Sequence, residues 1–515
     1  MNRFHIKKAL YLSAFTVIMF SCGNLTAPKV YYIGADKDSL DAGTPKAFCS
    51  ELPTNLQPGD SVYFMAGTPL KGSFNAKGIY GTAEKPIVIT SYGQTPATID
   101  SGNEYGLTVS NSSHVTVENI NFSGSGRKNG NSANGVLIDC CRDVRTIGLD
   151  IQGYRKAGLE IRRSKRVVVE RIHAHDNGFA GIYVLGEWER HEAASDIVIR
   201  DCIAENNPGD PTILDNHSGS GIIVAGCKRV TVEYCVATNN GWDMPRTGNG
   251  PVGIWAFEAD NVLFQYCISH HNKTSKGGKD GGGFDFDGGV SDSMMQYCLS
   301  YENEGPGYCL FQFKGASMWH NNVVRFCISE NDGNVSNGMG GVFIWNGSGD
   351  PDQLKNCHVY NNTVYNERGG AISHLKDESL NTNFFLYNNI FIGKNELNKG
   401  DKVSSVFLGN VWYSLDTGGF NMDGVDDFRL WAETTGNEFR NGRIVGYNLL
   451  PDFNNKIGKT GLTDPHGLIN YNVYKLRDGS PLADGGIDLK KEGIEHGGKD
   501  FNQNEVTTNL IGACQ

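Results

Sequence analysis

The chain has 515 residues, enough for one large solenoid or for two or three smaller domains. Its 66 glycines and 20% charged residues suit a turn-rich β protein. A net charge of -11, with no basic stripe or stacking motif beside it, argues against a nucleic-acid partner. It is also awkward for an acidic polysaccharide unless a local basic patch overrides it.

In chain order, the first feature is an export signal. Arg3, Lys7 and Lys8 precede an apolar run from Ala9 to Phe20, which is too short to span a bilayer as a helix. Ser21-Cys22 follows, and a small residue before Cys resembles a bacterial lipobox of the Bacteroidetes type. The resemblance implies a signal peptide over 1–21, lipidation at Cys22 and an exported protein anchored to the outer membrane by its lipid alone. Residues 22–29 then read as a tether.

From Val30 onward the pattern is β. Short segments begin with Gly and then alternate: Gly158-Leu-Glu-Ile-Arg162, Gly181-Ile-Tyr-Val-Leu185, Gly221-Ile-Ile-Val-Ala225, Gly253-Ile-Trp-Ala-Phe257, Gly283-Phe-Asp-Phe-Asp287, Gly307-Tyr-Cys-Leu-Phe311 and Gly341-Val-Phe-Ile-Trp345. Alternation means strands with successive side chains on opposite faces. The apolar first and third positions, such as Ile254/Ala256 and Phe284/Phe286, read as the inward face. Positions two and four then point outward.

A second repeat ends in Cys202, Cys235, Cys267, Cys298 and Cys327, each followed by an Asn: Asn207, Asn240, Asn272, Asn303 and Asn331. A period of roughly 30 residues with no useful amphipathic helix marks a solenoid whose units bury their apolar faces by stacking. The cysteines read as a ladder of free, inward thiols, and the asparagines as amides bonded to backbone at a turn. The chain between turn and next strand is short after Asn177 and Asn303. It is long after Asn207, Asn240, Asn272 and Asn331. Loops 208–220, 241–252 and 273–282 should therefore wall one face, and long loops on one face of a repeat protein mark a binding face. Residues 395–515 lose the clear repeat and read as irregular late coils and a cap, closing a β-helix over 30–394. A monomer is expected.

The opening Val30-Tyr-Tyr-Ile-Gly, the run Leu56-Gln-Pro-Gly-Asp60, and Asp478-Gly-Ser-Pro-Leu482 near the end resemble right-handed parallel β-helix proteins of the pectin-lyase-like superfamily. That resemblance implies an all-β, right-handed parallel β-helix solenoid. It specifies chemistry poorly, so function must be argued from the site.

The acidic strand interrupts a row of outward aromatics: Trp255, Phe257, Phe311, Phe343 and Trp345. Asp285 and Asp287 are two apart on one strand, so their Cβ atoms lie roughly 6–7 Å apart on one face. Two close carboxyls push their titrations apart, leaving one as acid and one as base. This arrangement, in a sugar-binding cleft, favours a glycosidase acting on a polysaccharide or oligosaccharide without a required cofactor. Glu258, Lys279 and His374 are further substrate contacts, and His271 is a third acid–base candidate. Calcium is the alternative use of Asp280, Asp285 and Asp287. A carbon–oxygen lyase acting on uronic-acid glycans, or dehydrating an oligosaccharide end, is the second reading, and a non-catalytic glycan-binding protein the third. The stretch from Asp280 to Tyr308 loosely resembles family 9 polysaccharide lyases. Their base is a Lys at the position Asp285 holds here, which departs from that mechanism.

Overall fold

Each coil is built from short alternating strands, most coils carrying three, whose inward residues are mainly apolar. The structure, a computed structural model, describes residues 27–34, 47–49, 51–333, 339–374, 380–394, 404–422 and 424–515. The export signal, Cys22 and most of the tether lie outside these residues. Three parallel sheets of 15, 13 and 11 strands form among the described residues. The chain visits the third sheet, the first and the second in turn before moving up one coil.

Register explains why the stack holds. In the first sheet Val167, Ile197, Val230 and Val262 pair in succession, each at most 1% exposed. In the third sheet Ile222, Ile254 and Phe284 do the same. A one-residue slip would turn every such side chain outward, so burial fixes the register. The inward column of the Gly-led strands is as the alternation requires: Ile182, Val184, Ile222, Val224, Ile254, Ala256, Phe284, Phe286, Tyr308, Leu310, Val342 and Ile344 all belong to the main core.

Both corner ladders form. Cys202, Cys235, Cys267, Cys298 and Cys327 are free, fully buried and in that core. The Cys235 thiol donates to the Glu233 carbonyl at 3.2 Å, and its neighbours up and down the stack repeat the bond. At the corner between the second and third sheets, each Asn carboxamide oxygen accepts the backbone N–H of the Asn one coil below: Asn207 for Asn177, Asn240 for Asn207, Asn272 for Asn240 and Asn303 for Asn272. The ladder then ends differently from expectation. Asn331 takes the left-handed turn position (φ 55), and the next residue, Asp332, accepts from Asn303 at 2.9 Å. Burial pushes the Asp332 carboxyl up to about 7.

Tyr234, Tyr266, Tyr297 and Phe326, each just before a ladder cysteine, also adopt left-handed backbone (φ 48 to 55). That costs a residue with a Cβ about 1 kcal/mol or more. Their rings stack along the solenoid at 4.9, 5.2 and 5.9 Å, which offsets part of the strain.

The sheets continue past residue 394, through strands Val406–Leu408 and Val411–Ser414. A helix, Phe428–Thr435, then covers the end of the core. Asp427 caps its N-terminus, Gly436 its C-terminus (φ 77), and Trp431 packs 6.0 Å from Trp412. Such a cover protects the last apolar layer. The remaining chain returns along the outside of the second sheet. There Phe453, Leu468, Tyr471 and Tyr474 pack over Tyr301, Ile328 and Tyr365. Tyr474 donates its hydroxyl to Glu330 at 2.5 Å, and His466 stacks on Tyr234 at 4.7 Å. The outer faces of the second and third sheets therefore differ: one is largely covered by the C-terminal segment, the other bordered by loops.

Candidate functional site on the outer face of the third sheet

Strand pairing places the outward residues of the third sheet in two columns. The first runs Leu137, Glu160, Tyr183, Ile223, Trp255, Asp285, Cys309, Phe343 and Ser373. The second runs Asp139, Arg162, Leu185, Ala225 and Phe257, then resumes with Phe311 and Trp345. Asp287 falls between Phe257 and Phe311, because its N–H continues the ladder to the Ala256 carbonyl at 2.9 Å.

Asp285 and Asp287 thus share this face with the aromatics, outside the main core. The face is more enclosed than an open cleft. Trp255 is 4% exposed, Phe343 3% and Asp285 2%. Trp255 stacks on Phe257 at 5.0 Å, donates its indole N–H to Ser220 and meets the ring of His217 edge-on at 4.7 Å. Phe311, Phe343 and Cys309 form a second packed cluster, with Trp345 at its margin. Phe257, Asp287 and Trp345 are half-buried and remain reachable.

The electrostatics follow from burial. Asp285 Oδ1 has no hydrogen-bond partner among the described residues. Burial holds its carboxyl well above the usual range, reinforced by repulsion from Asp287 and Asp280. Asp287 is pushed up to about 7 by burial, with Asp280 and Glu258 adding repulsion against the Gly288 N–H it accepts at 2.7 Å. Asp280, on the loop before the strand, accepts from Gly250 N–H at 2.6 Å and is raised by burial to about 6. These carboxyls therefore hold a variable number of protons near neutral pH.

Two expected residues lie elsewhere. His374 is fully buried: its strand pairs Val342 with Ile372 and Ile344 with His374, one residue off the Gly-led pattern. Its ring points into the coil, beside Phe407 at 6.3 Å and Ser405 Oγ at 3.0 Å, so it is not a substrate contact. His271 sits on the left-handed turn after strand Ile268–His270 (φ 54). It packs on Tyr301, and its charged neighbours are Glu302, Lys273 and Arg368, not the aspartates. Glu258 is buried below the face, accepting from Ser317 N–H at 2.8 Å, so it acts on Asp287 rather than on a ligand. Lys279 is exposed on its loop next to Asp280.

Sequence reasoning passed over a lower group on the same face. Glu160 is 7% exposed, accepts from the Asn134 amide, and is raised by burial against the pull of Arg162. Arg162 and Arg163 bridge to Asp139 at 3.2 and 2.9 Å. Tyr183 pairs beside Glu160, and Tyr105 feels its charge. Trp188, 54% exposed, meets Phe257 edge-on at 6.1 Å. The signal for Glu160 and Arg162 was present: they occupy positions two and four after Gly158. Two surface hollows of about 460 and 430 Å³ open instead on the C-terminal segment, and neither touches this face.

Residues 95–250 match the family model described as a right-handed β-helix region. A comparison with curated protein sequences gives no match. Among solved structures, the chain is similar to the GH136 lacto-N-biosidase from Eubacterium ramulus, with a TM-score of 0.50 and 16% identity, over 73% of this chain and 68% of that one. It is also similar to pectate lyase Pel9A, with a TM-score of 0.44 and 12% identity over 95% and 98%. The alginate lyase from Paenibacillus sp. str. FPU-7 gives a TM-score of 0.40 and 18% identity over 55% and 92%. At these identities the likeness concerns the fold: the chain is an all-β, right-handed parallel β-helix solenoid with the pectin-lyase-like fold.

Proposed function

We propose that this chain is an exported carbohydrate-active enzyme, lipid-anchored through Cys22, that hydrolyses glycosidic bonds on the outer face of its third sheet. One observation carries the reading. Asp285 and Asp287 stand on one strand of an aromatic-lined face, with carboxyls that burial and neighbouring acids keep protonated toward neutral pH. Glycoside hydrolysis needs one carboxylic acid to protonate the leaving oxygen and one carboxylate to act as base or nucleophile. Asp287, half-buried and titrating at about 7, is the reachable proton donor. Asp280, on the loop before the strand and also raised by burial, is the ionised partner in this reading. Asp285 stays protonated behind them. Phe257, Trp345 and Trp188 offer apolar ring surface to a sugar.

A second reading rests on a different observation. The buried Asp285 Oδ1 and Glu258 Oε2 lack partners among the described residues. A hard cation would satisfy such oxygens, but among the described residues Asp280, Asp285 and Asp287 do not bring their ligand atoms within 4.8 Å of one another, so Ca²⁺ held there would need substrate or water oxygens to complete its shell. The ion would supply charge to bind a uronic-acid carboxylate, and the chain would then be a lyase. The GH136 lacto-N-biosidase is a glycosidase on a similar scaffold, which is in keeping with the hydrolase reading.

The test is a panel of neutral and uronic-acid glycans, read for new reducing ends and for the ultraviolet absorbance of an unsaturated product. Reducing ends without that absorbance, lost by at least about a hundredfold in Asp287→Asn, support the hydrolase. An unsaturated product formed only with Ca²⁺ supports the lyase. Binding without either product would make the face a glycan-recognition surface and end both enzymatic readings.

A further inference from the structure

On the outside of the second sheet, two histidines and an aspartate converge. Asp150, His173 and His175 lie on adjacent strands, Asp150–Gln152 and His173–His175, with Asp150 paired to His173 and Gln152 to His175. His173 Nδ1 is 3.0 Å from Asp150 Oδ2, and His175 Nε2 is 3.3 Å from Asp150 Oδ1. One ligand atom from each of the three residues lies within 4.8 Å of the other two. We propose that Asp150, His173 and His175 form a binding site for a divalent transition-metal ion of the zinc class.

Two features favour a metal over a simple ion-pair cluster. First, bonds of about 2.0–2.1 Å to a tetrahedral ion set neighbouring donor atoms about 3.3 Å apart, and the two nitrogen–oxygen separations, 3.0 and 3.3 Å, lie at or just below that spacing. Second, each ring's far nitrogen meets its own carboxylate: His173 Nε2 is 2.9 Å from Glu205 Oε1, and His175 Nδ1 is 2.7 Å from Asp176 Oδ2. A carboxylate on the distal nitrogen fixes the tautomer and aims the near nitrogen at a metal. Imidazole nitrogens with a carboxylate oxygen select zinc, nickel or copper rather than calcium or magnesium.

The location gives the ion a task. The three ligands and Glu205 belong to three consecutive coils, joined by strand pairs along the second sheet. The C-terminal segment reaches the coil of Glu205 and the next one, where His466 meets Asp201 and Tyr234. Ile203 is 41% exposed. A bound metal would staple the sheet where its protein cover stops. The site is on a different sheet from the acidic face and stands whether or not that face is catalytic.

The experiment uses the purified chain, dialysed against EDTA and then freed of it. Zn²⁺ is titrated by calorimetry and by competition with a chromogenic chelator, and Co²⁺ is read by its visible absorption bands. One equivalent is expected for the wild type and for Gln152→Ala, with a rise in melting temperature. His173→Ala and His175→Ala should bind none and melt, metal-free, like the wild type. Glu205→Gln and Asp176→Asn should bind about 10–100-fold more weakly. No Zn²⁺ uptake by the wild type, or uptake undiminished in both histidine variants, overturns the proposal.

Discussion

Replacing Asp285 with Asn should make the protein more stable, and increasingly so as pH rises. In the folded chain, burial and the neighbouring Asp287 and Asp280 keep the Asp285 proton on well above 3.8, the value for a free aspartate. Above about pH 4 the folded state therefore holds one proton that the unfolded chain has released. Stability then falls with pH, by about 1.4 kcal/mol per unit for each such group, until the folded pKa is reached. Asp287 behaves alike, with its window closing at about 7. Asn keeps the shape of Asp and removes the slope. Three units of slope give a ceiling of about 4 kcal/mol for one group at pH 7. Water entry and side-chain relaxation reduce this, so about 2 kcal/mol, or a few degrees of melting temperature, is a realistic gain. The assay is a series of thermal melts at pH 5, 6, 7 and 8 in EGTA, comparing wild type with Asp285→Asn and Asp287→Asn. The readout is the difference between variants, since Asp332 and Glu438, each buried and pushed to about 7, tilt the wild-type curve the same way. If the carboxylates hold calcium instead, Ca²⁺ will raise the wild-type melting point and Asp285→Asn will lower it. A flat difference in EGTA from pH 5 to 8 would refute the reasoning, because the site would then lack the retained protons that acid–base chemistry requires.

Three other outcomes test the scaffold and the face. Asn240→Ala should destabilise the fold by about 2–5 kcal/mol in denaturant melts, because it orphans the buried Asn207 N–H and the Ala204 carbonyl that Asn240 now serves at 3.0 Å each. Gly253→Ala should cost about 1–3 kcal/mol or prevent folding, since its new methyl would meet Ser269 Oγ, and Asn272 Nδ2 at 2.6 Å. Trp188→Ala should weaken glycan binding several-fold in affinity electrophoresis while leaving the melting temperature unchanged, as expected for an exposed ring that packs only edge-on against Phe257.

What could be read in the sequence, and what could not, divides along one physical line. Properties that repeat every coil were visible, because each coil supplies another copy of the same constraint. The cysteine column, the apolar inward face and the outward direction of Asp285 all follow from a period of two within a period of roughly 30. Properties set by a single departure were not. The His374 strand slips by one residue against the Gly-led pattern, and that reverses the face its imidazole occupies. The asparagine ladder passes to Asp332 because Asn331 takes the left-handed corner, a choice no local motif announces. Burial of the aromatic row was hidden for a related reason. Alternation gives direction from the sheet but not depth beneath the loops, so Trp255 and Phe343 point outward and are nonetheless covered. Asp287, just past the end of the strand Gly282–Phe286, stays half-buried. The groups that combine outward direction with access are therefore fewer than the pattern suggests: Phe257, Asp287, Trp345 and, lower on the face, Arg162. A ligand reaching Asp287 must pass along that strip, so its affinity should depend on the half-buried rings more than on the buried ones that first drew attention to the face.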